Sequence, residues 1–264
     1  MTRVIRSANH SSYPVGADDP RDEATEAIVV AEQCRAFLDV VTDGQVRWPD
    51  ARAHFRACLD ADLRRVAPMA VPGYVAASAV TPKPVKVSLP GPVALGGERH
   101  RTAAAALVEE VRALGAAGCR WFQVEERAEH GAACTLLFDE APAGSVTILW
   151  VGRPDPGTLP ALPGTHLGLD LTDPASLETL AYLPPGRGVM LGLFDAAREQ
   201  VEDADEVAAR LAPWREALAG RDVLVGPNAG LAALPRDVAF EKLLQARYLA
   251  EGLRRTWSVS ASRR

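Results

Sequence analysis

The chain has 264 residues, 29 Lys and Arg against 34 Asp and Glu, a net charge of −5, and 48% apolar residues. That length suits one large α/β barrel or two small domains, with ample material for a core. The apolar fraction excludes a disordered chain. The acidic balance argues against nucleic-acid and anionic-membrane partners, which need basic patches to neutralise phosphate. Only Lys83, Lys86 and Lys242 among the cations are lysines.

In chain order, short β-branched runs alternate with longer amphipathic ones. Strands are expected over Arg3–Ser7, Leu38–Thr42, Val85–Leu89, Arg120–Glu125, Val146–Val151, Leu167–Leu171, Gly188–Leu193 and Asp222–Val225. Helical spacing of apolar residues marks Asp22–Phe37, Ala51–Val66, Thr102–Ala117, Pro174–Leu183, Asp203–Ala219 and Pro235–Leu253. Asp173-Pro174 and Leu234-Pro235 read as helix starts. The stretch Gly152–Gly164 is rich in Pro and Gly and reads as a loop replacing most of a helix. Eight strands with helical crossovers predict an α/β fold, a single-domain (β/α)8 TIM barrel over residues 1–254, followed by a polar tail from 255 to 264. The competing reading is a doubly wound sheet, but the chain has neither GxGxxG nor GxxxxGK[ST].

Cys34, Cys58, Cys119 and Cys134 contain no CxxC pair and are too sparse for a disulfide framework, which favours a reducing compartment. The first residues lack the apolar region of a signal peptide, and no run approaches the roughly 18 residues of a membrane span. A cytoplasmic protein with a small-molecule substrate is the resulting expectation, with homo- or hetero-oligomerisation left open.

A barrel gathers function at the C-terminal strand ends. There the chain places His10, Ser11, Ser12 and Tyr13 after the first strand, and Thr42–Asp50 after the second. The turn Leu89–Leu95 follows the third, and Phe122–Arg127 closes the fourth. Trp150, Gly152 and Arg153 follow, then Asp170, Asp195 and the run Gly226–Leu231. Gln123 and Glu125 share a face of their strand, and Glu126 points the other way. A carboxylate at a barrel mouth is costly unless it is paired or engages a substrate amine. For Glu125 the alternative to a functional role is an ion pair with Arg127 or Arg153. His166 falls at the barrel bottom and reads as structural, while His54, His100 and His130 read as surface residues.

Taken in order, these segments resemble the catalytic barrel of cobalamin-independent methionine synthase. Ser11–Pro14 (SSYP) resembles that family's GS(F/Y)P turn. Glu26–Asp50 resembles its DGE segment, Val85–Leu95 its GP turn, and Leu107–Arg127 its DEP strand. Gly188–Asp195 and Val223–Leu243 resemble its last two strands, so the match spans about residues 3 to 254. The resemblance implies methyl transfer from a folate to a thiol held on zinc by a His-x-Cys, a Glu and a second Cys. The chain departs from that pattern at each ligand, with Ile148 for the His, Trp150 and Asn228 for the two Cys, and Asp170 for the Glu. Gln45 replaces the Glu of DGE, Glu125 the Asp and Arg127 the Pro of DEP, and Ser11 the small Gly. A proton-donor His of the long form corresponds to Ala197. An Ile and a Trp cannot ligate zinc, so no zinc is expected.

Three readings remain open. One is a zinc-independent methyltransferase acting on a non-thiol acceptor, with a reduced or methylated folate as candidate cofactor. The second is a metal-free lyase or decarboxylase, and the third a non-catalytic partner subunit. For the catalytic readings, Glu125, Asp170 and His10 are the candidate acid–base residues. Ser11, Ser12, Asp43, Gln45, Gln123, Trp150 and Asn228 are the candidate substrate-binding set. A methyltransferase further needs two sub-pockets that meet at the mouth.

Overall fold

The computed structural model describes residues 4–16, 19–48 and 50–258. Its elements are β1 (Ile5–Ser7), α1 (Glu23–Arg35), α2 (Ala51–Ala57), α3 (Val71–Ala79), β2 (Lys86–Pro90), α4 (Pro92–Gly96), α5 (His100–Ala116) and β3 (Trp121–Glu125). They continue with α6 (Thr135–Asp139), β4 (Val146–Gly152), β5 (His166–Asp170), β6 (Gly188–Phe194), α7 (Ala204–Leu211), β7 (Val223–Pro227) and α8 (Arg236–Ser258). The strands form one parallel sheet of seven in the order β1-β7-β6-β5-β4-β3-β2, the arrangement of a curled TIM-like sheet.

The expected strand over Leu38–Thr42 is not a full member of the sheet. It takes part through two isolated parallel bridges, Ala8↔Val40 and Val41↔Val85, which lie between β1 and the start of β2. Backbone hydrogen bonds still join it to both neighbours, among them Asn9 N–H to the Val40 carbonyl and Lys86 N–H to the Val41 carbonyl, and one bond to β1 runs through a side chain. The Asp39 carboxylate accepts from the backbone N–H of Ser7 at 2.8 Å and is gripped by Arg247 and Arg254 of α8.

Strand alternation divides the apolar residues into two sets. One face of each strand, including Val87, Leu89, Phe122, Val124, Leu149, Leu167, Leu191 and Val225, packs in a large cluster with residues of the helices. The other face carries a small separate cluster of Ala8, Val40, Ile148, Trp150, Met190 and Leu224. Polar residues share that second face, among them Lys86, Ser88, Gln123 and Glu125, and they form the site.

Helix boundaries differ from the periodicity where side chains capture the backbone. The helix expected over Ala51–Val66 ends at Ala57. Asp60 accepts from the N–H groups of Asp62 and Arg64 at 2.8 and 2.9 Å, and Leu63 adopts φ +60°. Helix α3 was absent from the periodicity, and its first turn contains Pro72 and Gly73. The segment after Asp173 is a 3-10 helix, Pro174–Tyr182, capped by the Asp173 carboxylate. The Pro/Gly-rich stretch contains only the 3-10 turn Pro156–Ala161. The expected tail begins inside α8, which runs through Ser258 and buries Trp257; residues 259–264 lie outside the described residues. None of the described helices is long and apolar enough to cross a membrane.

Candidate active site

Lys86 opens β2 on the inner face and is fully enclosed, with 0% of its surface exposed. Its ammonium donates to the carbonyl of His10 and to Oε1 of Gln123. Burial pulls its pKa down to about 7, against the opposing attraction of Glu125 and Asp43. Gln123, in the middle of β3, is enclosed as well, and its Nε2 donates to Glu125 Oε1 at 3.2 Å. The same nitrogen lies 3.2 Å from His10 Nε2. Ser88, two residues along β2 from Lys86, donates to Glu125 Oε1 at 3.2 Å. His10 places Nδ1 3.0 Å from Ser11 Oγ and 3.7 Å from Glu125 Oε1, and its ring meets Trp150 edge-on at 4.4 Å. Burial first, and the Lys86 charge second, hold the His10 pKa well below its ordinary value, so the ring is neutral.

Glu125 ends β3 and keeps 40% of its side chain exposed to the mouth. The protein crowding around it still raises its pKa, opposed by Lys86, Ser88 and Gln123. The rim ion pairs considered as the alternative are taken elsewhere. Arg127 pairs with Glu129 at 2.5 Å, and Arg153 pairs with Asp170 at 3.0 Å. Glu126 points the other way, as strand parity predicts. Its Oε2 accepts from the N–H groups of Val93 and Ala94 at 2.8 and 3.0 Å and so fastens the start of α4.

Two cavities share Glu125, Arg52 and Ala94 as common walls. The larger, about 510 Å³, is bounded further by Trp150, Val93, Glu126 and Arg127. The smaller, about 270 Å³, is bounded further by Ser11, Gln45, Ser88 and Phe55. Trp150 sits beside a register shift between β4 and β5. Its indole covers two glycines: a Cβ on Gly168 would stand 2.4 Å from Trp150 Cε3, and one on Gly192 2.6 Å from Trp150 Cη2.

The remaining candidates are dispersed. Asp43 is buried, its Oδ1 accepts from Gln45 N–H at 3.1 Å, and burial raises its pKa to about 6. Gln45 itself adopts φ +52°. Ser12 bridges to Gly44, and its carbonyl accepts from Leu231 N–H at 3.0 Å. Asp170 lines neither cavity and is held by Arg153 and by the Thr172 hydroxyl at 2.7 Å. Asn228 Oδ1 accepts from Ala196 N–H at 2.9 Å, tying the loops after β6 and β7. His10 lies behind the cavity wall. The structure thus brings Glu125, Gln123, His10 and Ser11 together, puts Gln45 and Trp150 on the walls, and leaves Asp170, Ser12 and Asn228 outside the cluster.

Sequence reasoning missed Lys86 and Ser88, along with Arg52 and His130, which also borders the larger cavity. A signal for the first two was present. In Val85–Leu89 the strand period puts Lys86 and Ser88 on the face opposite Val85, Val87 and Leu89. A lysine on an inner face needs partners. His54 stacks on Trp48 at 4.5 Å, and His166 sits at the start of β5 3.4 Å from Asp222, both as parts of packing.

The residues at the zinc-ligand positions implied by the resemblance do not fit that metal. Ile148 is an apolar member of the inner cluster and Trp150 fills space beside it. Asp170 and Asn228 are committed to Arg153 and to a backbone amide. Among the described residues no three His, Cys, Asp or Glu side chains are grouped to hold a metal ion.

No family model and no curated protein matches the chain. Solved structures do. A B12-independent methionine synthase from Shewanella sp. W3-18-1, in complex with selenomethionine, aligns with TM-score 0.79 at 18% identity over 98% of this chain and 99% of that one. A proposed vitamin-B12-independent methionine synthase from Listeria monocytogenes aligns with TM-score 0.76 at 16% identity over 96% and 99%. A methyltransferase from Methanosarcina mazei aligns with TM-score 0.69 at 14% identity over 96% and 95%. The chain therefore has the fold of B12-independent methionine synthase-like and methyltransferase proteins over nearly its whole length.

Proposed function

We propose that the chain is a divergent member of the cobalamin-independent methionine synthase group that transfers a methyl group without zinc to a small non-thiol acceptor, an amine foremost. The observation that carries this reading is the pair of cavities meeting at Glu125. One wall set offers an indole and two arginines, suited to an aromatic heterocycle bearing carboxylates, such as a reduced or methylated folate. The smaller cavity offers Ser11, Gln45 and Ser88 to a polar acceptor. Glu125 stands between them with Oε1 already bonded to Ser88 and Gln123. Its raised pKa suits a general base. Glu125 would take the acceptor's N–H proton as the nitrogen lone pair forms the new bond to the methyl carbon. The electron pair of the broken methyl bond would stay on the donor, which gains a proton from solvent. The acceptor needs no metal, because an amine is nucleophilic once neutral, whereas a thiol gains most from ionisation.

A lyase working through a lysine Schiff base is not favoured, since Lys86 is sealed and already makes two hydrogen bonds. The proposal includes a cytoplasmic location, consistent with the absence of a disulfide among the four cysteines.

The test is thermal-shift titration of the wild type and Glu125→Gln with reduced folates and small amines. A folate should stabilise both proteins, and an amine should stabilise only the wild type. No response to any folate or amine in either protein would overturn the proposal and favour a non-catalytic partner subunit.

A further inference from the structure

Another cavity, about 440 Å³, opens at the C-terminal ends of β5 and β6 and shares no lining residue with the two that meet at Glu125. Its charged walls come from the segments after three strands and from α7. Arg153 follows β4, Asp173 follows β5, Asp195, Arg198 and Glu202 follow β6, and Arg210 stands in the last turn of α7. A barrel presents its ligand sites at this end of its strands, and the methyl-transfer reading uses none of these residues. The charges are matched, with one exception. Asp173 accepts from Ala175 N–H at 3.1 Å and lies 3.7 Å from Arg153 Nη1. Asp195 accepts from Ala197 N–H at 2.9 Å and pairs with Arg198 at 3.3 Å. Glu202 accepts from Asp195 N–H and from the buried Lys242, both at 2.7 Å. Each carboxylate of the cavity thus has a cation and a backbone donor already. Arg153 is engaged further by Asp170 and by the Thr172 hydroxyl. Arg210 is the exception. Among the described residues no carboxylate pairs with it, and Nη1 donates only to the Thr172 carbonyl, at 3.5 Å.

A partly buried guanidinium that faces a cavity with its charge unopposed is a ready anchor for an anion. Its planar fork of N–H donors matches two oxygens of a carboxylate or a phosphate. Leu193 and Pro174 give the same cavity an apolar side, suited to a short carbon skeleton. We propose that this cavity is a second binding site, for a small organic oxyanion, a carboxylic acid or a phosphate ester, whose charged group is held by Arg210. The carboxylates of the wall are satisfied but still negative, so the ligand they admit is compact and carries its charge at one end. An extended polyanion would meet like charge. The site does not rest on the methyl-transfer reading, because it uses other residues and is indifferent to what is transferred at Glu125.

The experiment titrates the full chain with butyrate and with glycerol 3-phosphate, against chloride at matched ionic strength, and follows the arginine Nε–H signals by ¹H–¹⁵N NMR. Arg210→Gln assigns the Arg210 signal by its disappearance. Arg210→Lys, which keeps the charge but not the fork, assigns it if Arg210→Gln is unstable. In wild type the Arg210 signal should move saturably with at least one of the two anions and stay in place with chloride. Arg210→Gln should bind that anion at least about tenfold more weakly, the loss expected for hydrogen bonds to a charged group. A response to one anion alone identifies the charged group that the site takes. No saturable response to either, or equal binding by wild type and Arg210→Gln, overturns the proposal. Either result leaves the folate and amine titrations standing, since Arg210 borders neither of the cavities that they probe.

Discussion

The ammonium of Lys86 gives up its hydration on folding and recovers two hydrogen bonds and the attraction of two carboxylates, Glu125 and Asp43. With a folded pKa of about 7 against an ordinary value above 10, the unfolded chain holds the extra proton between those limits. Stability from this group therefore rises with pH from about 7 to 10 and is flat below. Urea unfolding of wild type and Lys86→Met should show the wild type gaining on the variant by up to about 3 kcal/mol between pH 7 and 9.5. Parallel curves would show that Lys86 titrates normally. Asp43 acts in the opposite sense: its raised pKa lets the folded state hold more protons, so its contribution falls as pH rises from 4 to 6. Individual residues were unevenly legible in the sequence. Strand parity found Gln123 and Glu125 together and turned Glu126 away. It would have found Lys86 and Ser88 had the same counting been applied to β2. The spacing placed Asp170 at the end of β5, but not its capture by Arg153, which follows the neighbouring strand β4.

At the scale of elements, the helix ends depend on side chains reaching across the fold. Helix α3 has no capping side chain of its own. Glu110 of α5 supplies one, accepting from the N–H groups of Ala70 and Val71 at 2.6 and 3.0 Å while it pairs with Arg65 at 2.6 Å. Glu110 is fully buried, so Glu110→Ala should cost about 3 kcal/mol in chemical denaturation, from a lost cap and a stranded guanidinium. A loss below ~1 kcal/mol would mean that water replaces the carboxylate. Strands β4, β5 and β6 are matched in the same way. Gly168→Ala should cost about 1–3 kcal/mol by pushing on the indole, and Trp150→Ala about 3–5 kcal/mol by opening a cavity. The double variant should lose less than the sum, since without the indole the added methyl keeps only the 3.1 Å approach to the Trp150 Cα. Additive losses would separate the two positions. Such cross-element matches are invisible to periodicity, which is why strand positions were predicted well and helix limits poorly. The helix expected to Val66 ended where Asp60 took the backbone. The strand expected over Leu38–Thr42 is present as two bridges, with the Asp39 carboxylate taking one N–H of β1.

For the whole molecule, a fold shared with methionine synthase-like proteins holds Ile148, Trp150, Asp170 and Asn228 at the positions where the resemblance in sequence implies zinc ligands. Elemental analysis of the purified protein should find no stoichiometric zinc, and a chelator should leave its thermal midpoint in place, because no donor set would lose a ligand. One zinc per chain would overturn the correspondence drawn for Ile148, Trp150 and Asn228. Transfer of methyl from methyl-folate to homocysteine should likewise be undetectable. The general architecture was readable from the alternation of apolar runs, since each run must bury one face against its neighbours. What occupies the mouth was readable only as a set of residue types at the strand ends, because the sequence states which residue stands at a position and not what it touches.

The edge of His10 against the indole of Trp150 gives the site an optical dimension. Trp150 walls the larger cavity and borders a ring whose protonation changes its electronic surroundings, whereas Trp48 and Trp257 are packed in the outer core. Emission from this one indole would respond both to an occupant of the cavity and to a proton arriving on its neighbour. Trp121, packed against the same inner cluster, and Trp214 emit as well, so a change that vanishes in Trp150→Phe is the one that reports this indole.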